Sequence, residues 1–184
     1  MDALDALHLR SSVPKLNDPL PSEEMLENIY KAAFRAADHA VLRPWRFLVI
    51  KGEARERLGE LFVNAGLSAD AELTPAAIEK LRCKPLRAPL ILVCISSYKP
   101  HPKVPELEQD LSAGAATQNM LLAAFAQGLG AMWRTGSLAY NPVVKSGLGL
   151  SDTEKIIGFL YIGTIDGGTK QLCESDIAAY FQDW

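Results

Sequence analysis

The sequence predicts an α+β domain with helices packed around a small sheet, and three observations carry that expectation. The chain has 184 residues, 48% hydrophobic and 22% charged, which suits one globular domain with a sizeable core. Leu90 to Ile95 is a continuous apolar run between Pro89 and Ser96, and so reads as a buried strand. The remaining strand-like runs are few and are separated by stretches of helical periodicity.

Taken in order, Asp2 to Leu9 reads as a short helix that ends at Arg10-Ser11-Ser12. Ser22 is a candidate N-cap, with Glu23 and Glu24 favourably placed on the positive end of the helix. That helix is expected to run to about Ala37 and to bury Met25, Ile29, Ala32 and Ala33, before Asp38-His39 opens a loop. Trp45 to Ile50 reads as a strand and Ala54 to Asn64 as an amphipathic helix. Thr74-Pro75 has the pattern of a helix start, an N-cap followed by Pro at the first helical position. Glu106 to Gln127 is a long helix ended by Gly128 and Gly130. Its Ser112-Ala-Gly-Ala-Ala116 stretch has almost no side chains, so something must pack very close there. Asn141 to Leu148 reads as a short helix and Ile156 to Ile162 as a strand; the capping-box spacing of Ser151 and Glu154 just before that strand conflicts with it.

Charge and composition narrow the function classes. A formal net charge of −3 argues against a nucleic-acid or anionic-membrane surface. The Met-Asp-Ala-Leu-Asp start lacks the basic and apolar regions of a signal peptide, and the most apolar stretch, Met120 to Ala126, is too short to span a bilayer. The three cysteines, Cys83, Cys94 and Cys173, have no CxxC spacing, and Cys94 sits in an apolar run. Disulfide and zinc readings therefore lack support, and a reducing cytoplasm is the expected location.

No Gly-x-Ser-x-Gly elbow, phosphate-binding Walker loop or dinucleotide fingerprint is present, and the three histidines have no metal-ligand spacing. Three clusters stand out instead. Arg10-Ser11-Ser12 offers a guanidinium and two hydroxyls, which suit a phosphate and sugar hydroxyls, though Arg10 could equally complement the negative end of the first helix. Arg35 and His39 are four apart and could point the same way from a helix end, or simply be solvated there; Arg43-Pro-Trp45-Arg-Phe47 follows at once. Gly130-Ala-Met-Trp133-Arg134-Thr135-Gly136 repeats the pairing of an Arg with a hydroxyl.

In this order and spacing the clusters resemble the flavin-dependent nitroreductase family, most of all its compact branch. The resemblance spans nearly the whole chain, through Arg10 to Ser12, Arg35 to His39, Pro44-Trp45-x-Phe47, His101-Pro-Lys103-Val-Pro105, Ser112-Ala-Gly114, Ala126-Gln-Gly128, Trp133-Arg134 and Ile157 to Gly163. It implies a three-layer sandwich around a mostly antiparallel sheet, and a homodimer with two FMN sites at its interface. It further implies that Arg10, Ser11 and Ser12 hold the FMN phosphate and ribityl chain, that Trp133, Arg134 and Thr135 close the same end, and that Arg35 and His39 reach the flavin from the other subunit. Ala123, Ala124, Phe125, Ala126, Gln127 and Gly128 match a stretch associated with the nicotinamide nucleotide. The implied activity is ping-pong hydride transfer from NAD(P)H to a nitroaromatic or quinone-type acceptor, with no protein nucleophile. A positive group beside N1 and O2 of the flavin would stabilise its reduced form, with Arg10 or Arg35, and behind them Lys84 or Arg87, as candidates. A non-catalytic FMN-binding or flavin-processing protein would present the same pocket. Departures from the family pattern fall at Ser11, Ala37, Arg43 and Leu107.

Overall fold

The computed structural model describes residues 1–168, 172 and 175–184; Cys173 lies outside the described residues. Among the described residues, seven α-helices surround an antiparallel sheet. Helix α1 (Ala3–Leu9) is capped by Asp2, whose side chain accepts from the Leu4 N–H. The short strand β1 (Leu16–Asn17) leads to α2 (Glu23–Ala33), where Ser22 is the N-cap and accepts from Met25 N–H. Strand β2 (Trp45–Lys51), helices α3 (Ala54–Ala69) and α4 (Pro75–Arg82), and strand β3 (Leu90–Ser97) follow, with a 3-10 turn at Lys84–Arg87. Thr74 caps α4. The 21-residue α5 (Glu106–Ala126) then gives way to β4 (Gly130–Arg134), α6 (Ser137–Tyr140), α7 (Pro142–Gly147) and β5 (Glu154–Ile165).

The sheet order is β1-β5-β3-β2, with β4 also paired to β5, and every pairing is antiparallel. Side chains alternate across a strand, so β3 feeds two cores. Ile91, Val93 and Ile95 join Leu58 and Phe62 of α3 and Val144 of α7 on one face. Leu90, Leu92 and Cys94 join Ile29 of α2 and Ala116 and Met120 of α5 on the other. These three layers account for the unbroken apolar run of β3: it is covered on both faces.

One expectation is corrected, the extent of α2, and two further features go beyond the sequence reading. Helix α2 stops at Ala33, four residues early, and buries Leu26 along with Ile29 and Ala33, while Met25 and Ala32 are only half-buried. The Ser151 and Glu154 pair caps no helix. Glu154 Oε2 accepts the Ser151 N–H at 3.0 Å, and Glu154 N–H returns a bond to Ser151 O at 3.2 Å, closing a turn at the mouth of β5. Gly130 to Arg134 is a strand, and its start is fixed by crowding: a Cβ on Gly130 would run into Leu16, Ile165 and Val13.

Candidate active site

Strand β4 lies along β5 in the register Met132↔Tyr161, Trp133↔Leu160 and Arg134↔Phe159. Alternation therefore splits the Trp133-Arg134-Thr135 cluster across the sheet. The Trp133 indole goes to the α5 side. It donates to Ile157 O at 3.2 Å and its outer edge comes nearest to Gly114. Trp133 thus lies against the small-residue stretch of α5 at Gly114. The space for the indole is made by a bulge in β5: Cys94 faces Gly158 but Ile95 faces Ile156, leaving Ile157 extra and bringing Gly158 beneath the ring.

Arg134 goes to the other face. Its guanidinium carbon lies 5.3 Å from the centre of the Tyr161 ring, a cation–π arrangement. There it borders a cavity of about 330 Å³ together with Lys84 and Arg87 of the 3-10 turn, Phe62, Tyr161 and Thr135. Among the described residues no carboxylate pairs with any of these three cations, and Arg134 Nε is buried without a hydrogen-bond partner. Burial lowers the Lys84 pKa from its ordinary value, and Arg87, Lys80 and Arg134 lower it further. Burial and then Arg87 lower that of Arg134 in the same way, and burial pushes the Tyr161 phenol up to about 12. Uncompensated cations around a cavity with aromatic walls suit an anionic ligand with a flat ring. Lys84 and Arg87 belong to this site more firmly than their sequence context suggested. The available signal was their i, i+3 spacing just before a buried strand, which aims both side chains the same way.

The Arg10-Ser11-Ser12 segment runs on into Val13, whose N–H donates to Ala131 O at 3.0 Å, so the chain passes along the free edge of β4. All three residues are half-buried. A second cavity, of about 360 Å³, continues from Arg87 and Arg134 to Lys15 and Leu16.

Arg35 and His39 do not share a direction, because α2 has ended before either is reached. Arg35 borders an apolar groove of about 490 Å³ between α1, α2 and α5, lined by Ala6, Leu7, Leu122, Ala123 and Ala126. His39 lies in a 3-10 turn and its Nδ1 meets Glu108 Oε2 of α5 at 2.7 Å. Of the stretch 123–128, Ala123 and Ala126 line the groove. Ala124 is fully buried in the core and Phe125 is half-buried. The Gln127 amide is fully engaged: it donates to Met25 O of α2 and Ala123 O of α5 and accepts from Asn28 of α2. Gly128, at φ +79°, turns the chain out of α5.

The fold and the cavity define a small α+β protein with an antiparallel sheet and a cation-lined cavity beside β4. The chain belongs to the Nitroreductase family, whose model matches residues 9–164. It is 44% identical over 164 residues to YdjA of Escherichia coli strain K12, an NAD(P)H nitroreductase by name, covering 89% of this chain and 88% of that one. The nitroreductase-like protein of Bacillus cereus superimposes with a TM-score of 0.85 at 25% identity, covering 100% of this chain and 96% of that one. A nitroreductase with bound FMN from Bacteroides fragilis has the same fold, at a TM-score of 0.73 and 19% identity over 100% and 99% of the two chains. No helix among the described residues is long and apolar enough to cross a membrane.

Proposed function

We propose that this chain is an FMN-dependent oxidoreductase that takes hydride from NADH or NADPH and passes it to a nitroaromatic or quinone-type acceptor in a ping-pong cycle. The observation that carries this reading is the cavity where Lys84, Arg87 and Arg134 converge beside Tyr161 and Phe62, with no salt bridge to any of the three among the described residues. FMN fits those residues on both counts, having a phosphate dianion and a flat ring with an electron-rich pyrimidine edge. The bound FMN of the Bacteroides fragilis protein supports the choice at the level of the fold.

In this reading the flavin ring supplies the redox chemistry, and the protein supplies binding, orientation and charge. Arg10, Ser11 and Ser12 take the phosphate and ribityl hydroxyls, and Trp133, Arg134 and Thr135 close the same end. Lys84 and Arg87 add positive charge on the cavity side, and partial burial strengthens the field of Lys84. Arg35 and His39 complete the site from a second copy of the chain. Exposed Phe34, Val41, Leu107 and Leu111 support such a pairing, since they give the surface near His39 and Glu108 the large apolar groups an interface needs. The groove at Ala123 and Ala126 is the proposed approach for the nicotinamide nucleotide.

The deciding experiment is the visible spectrum of the purified protein, followed by acid release and chromatography of its chromophore. FMN is expected, with its colour bleached by NADH or NADPH under nitrogen. Recovered FAD, or a protein that stays colourless after FMN is added, would overturn the assignment. A yellow protein that neither nucleotide bleaches would reduce the reading to a non-catalytic FMN binder.

A further inference from the structure

The connection from α2 to β2 is strained. Ala40, Val41 and Arg43 have φ of +61°, +54° and +49°, in the left-handed region that residues with a Cβ avoid and a β-branched valine avoids most. Such angles persist only where the surroundings over-determine them. Here three side chains from separate parts of the fold do so. Asp38 Oδ2 accepts the Arg43 N–H at 2.6 Å and closes the loop on itself. Lys99, just past β3, donates from Nζ to Leu42 O at 2.7 Å. Glu108, in the first turn of α5, holds His39 Nδ1 at 2.7 Å. A carboxylate can only accept, so this contact puts a proton on Nδ1 and leaves Nε2 as the remaining polar atom of the ring.

We propose that Asp38, Lys99 and Glu108 are positioning residues that lock the 38–43 loop in its strained shape, so that His39 is presented ready-made to the flavin of a second copy. The inference rests on the assignment of His39 to the flavin site. Its physical basis is pre-organisation: a loose loop would have to be ordered each time flavin bound, and the three braces meet that ordering cost during folding.

The test uses FMN titration, followed by quenching of flavin fluorescence, alongside proteinase K nicking of the loop. Asp38→Ala should weaken FMN binding about tenfold, the scale of one charge-assisted hydrogen bond, and expose the loop to cleavage. Asp38→Asn should bind nearly as the native protein does, because the amide oxygen still accepts from Arg43. Adding Val41→Gly to Asp38→Ala should recover much of the loss, since glycine takes the left-handed angle freely. Lys99→Met and Glu108→Ala should each weaken binding several-fold, and they carry the test if Asp38→Ala does not fold. His39→Ala separates the two levels of the argument. If it weakens FMN binding while the brace variants bind normally, the bracing role is overturned and the assignment of His39 stands. If His39→Ala binds FMN normally, the assignment fails and the proposal fails with it.

Discussion

Gly158 and Trp133 compete for one space: a Cβ at position 158 would overlap the indole nitrogen of Trp133. The indole can reach Ile157 O because β5 bulges there and places Gly158, which has no side chain, under the ring. Gly158→Ala should therefore push the indole away and break that bond. Overpacking of this kind costs about 1–3 kcal/mol, which for a chain of this size lowers the melting temperature by roughly 2–12 °C. Thermal unfolding checks it, with tryptophan emission as the local probe. An unchanged melt and spectrum would mean that β5 relaxes at no cost.

The proposed phosphate contacts predict a difference between two ligands. Arg10→Ala should remove a charge-assisted contact worth about 1.5–3 kcal/mol and weaken FMN binding roughly 10- to 150-fold. Riboflavin, which lacks the phosphate, should bind almost as before. Arg134 points to the cavity side beside Tyr161, so Arg134→Ala is the more informative variant. Loss of FMN alone would place Arg134 on the phosphate, and equal loss of both ligands would place it on the ring.

Acid sensitivity should trace in part to Glu154. The Arg46 guanidinium, with help from the Ser151 N–H, holds this buried carboxylate down at about 2. A carboxyl whose folded pKa is depressed contributes stability above its unfolded pKa of about 4.3, and that stability is lost as pH falls through the folded value. Native protein and Glu154→Gln should thus differ most in urea midpoint near pH 7 and converge between about pH 4 and pH 2. Parallel curves across that window would remove Glu154 from the account.

Much of the layering was legible from the chain. Strands Trp45–Lys51 and Leu90–Ser97 announce themselves through β-branched and apolar runs, and Ser22 and Thr74 mark helix starts by cap chemistry. Strand β4 was not legible, because Gly-Ala-Met-Trp-Arg has no alternation and its partner is distant in sequence. The site was legible as residue types and not as directions. Arg35 and His39 looked paired because a helix was continued past Ala33, and Arg134 looked like a neighbour of Trp133 although the pleat sends them to opposite faces. Periodicity reports which residues share a face only once element boundaries and bulges are known, and the bulge at Ile157 arises from tertiary packing.

The cysteines should differ sharply towards alkylating reagents. Cys94 is buried in the core of β3, and burial pushes its thiol up to about 12, so almost no thiolate exists near neutral pH. Cys83 is exposed, and its thiol is raised chiefly by its hydrogen bond to Glu79. Iodoacetamide followed by peptide mapping should label Cys83 slowly and Cys94 only after unfolding. Glu79→Gln should speed labelling at Cys83 and leave Cys94 untouched. Early labelling of Cys94 in the native protein would show that the sheet opens far more readily than its two-sided burial implies.

The shared site makes the sharpest demand on the proposed function. Within one chain the cavity beside β4 gathers Arg134, Lys84 and Arg87, while His39 is fastened to α5 by Glu108 and Arg35 borders a different groove. If His39 and Arg35 act on a flavin held at β4, they act on that of a second copy. An Arg134→Ala chain and an Arg35→Ala/His39→Ala chain should then each be impaired as homodimers for complementary reasons. In a mixed dimer one site collects both defects and the other collects none. Co-expression under two affinity tags should therefore yield hybrids with about half the native FMN content and half the native activity, since one of two sites is intact. A site built from a single chain predicts hybrids no better than the average of their impaired parents. A monomer in sedimentation analysis would end the idea before mixing, because no second chain would be present to contribute His39.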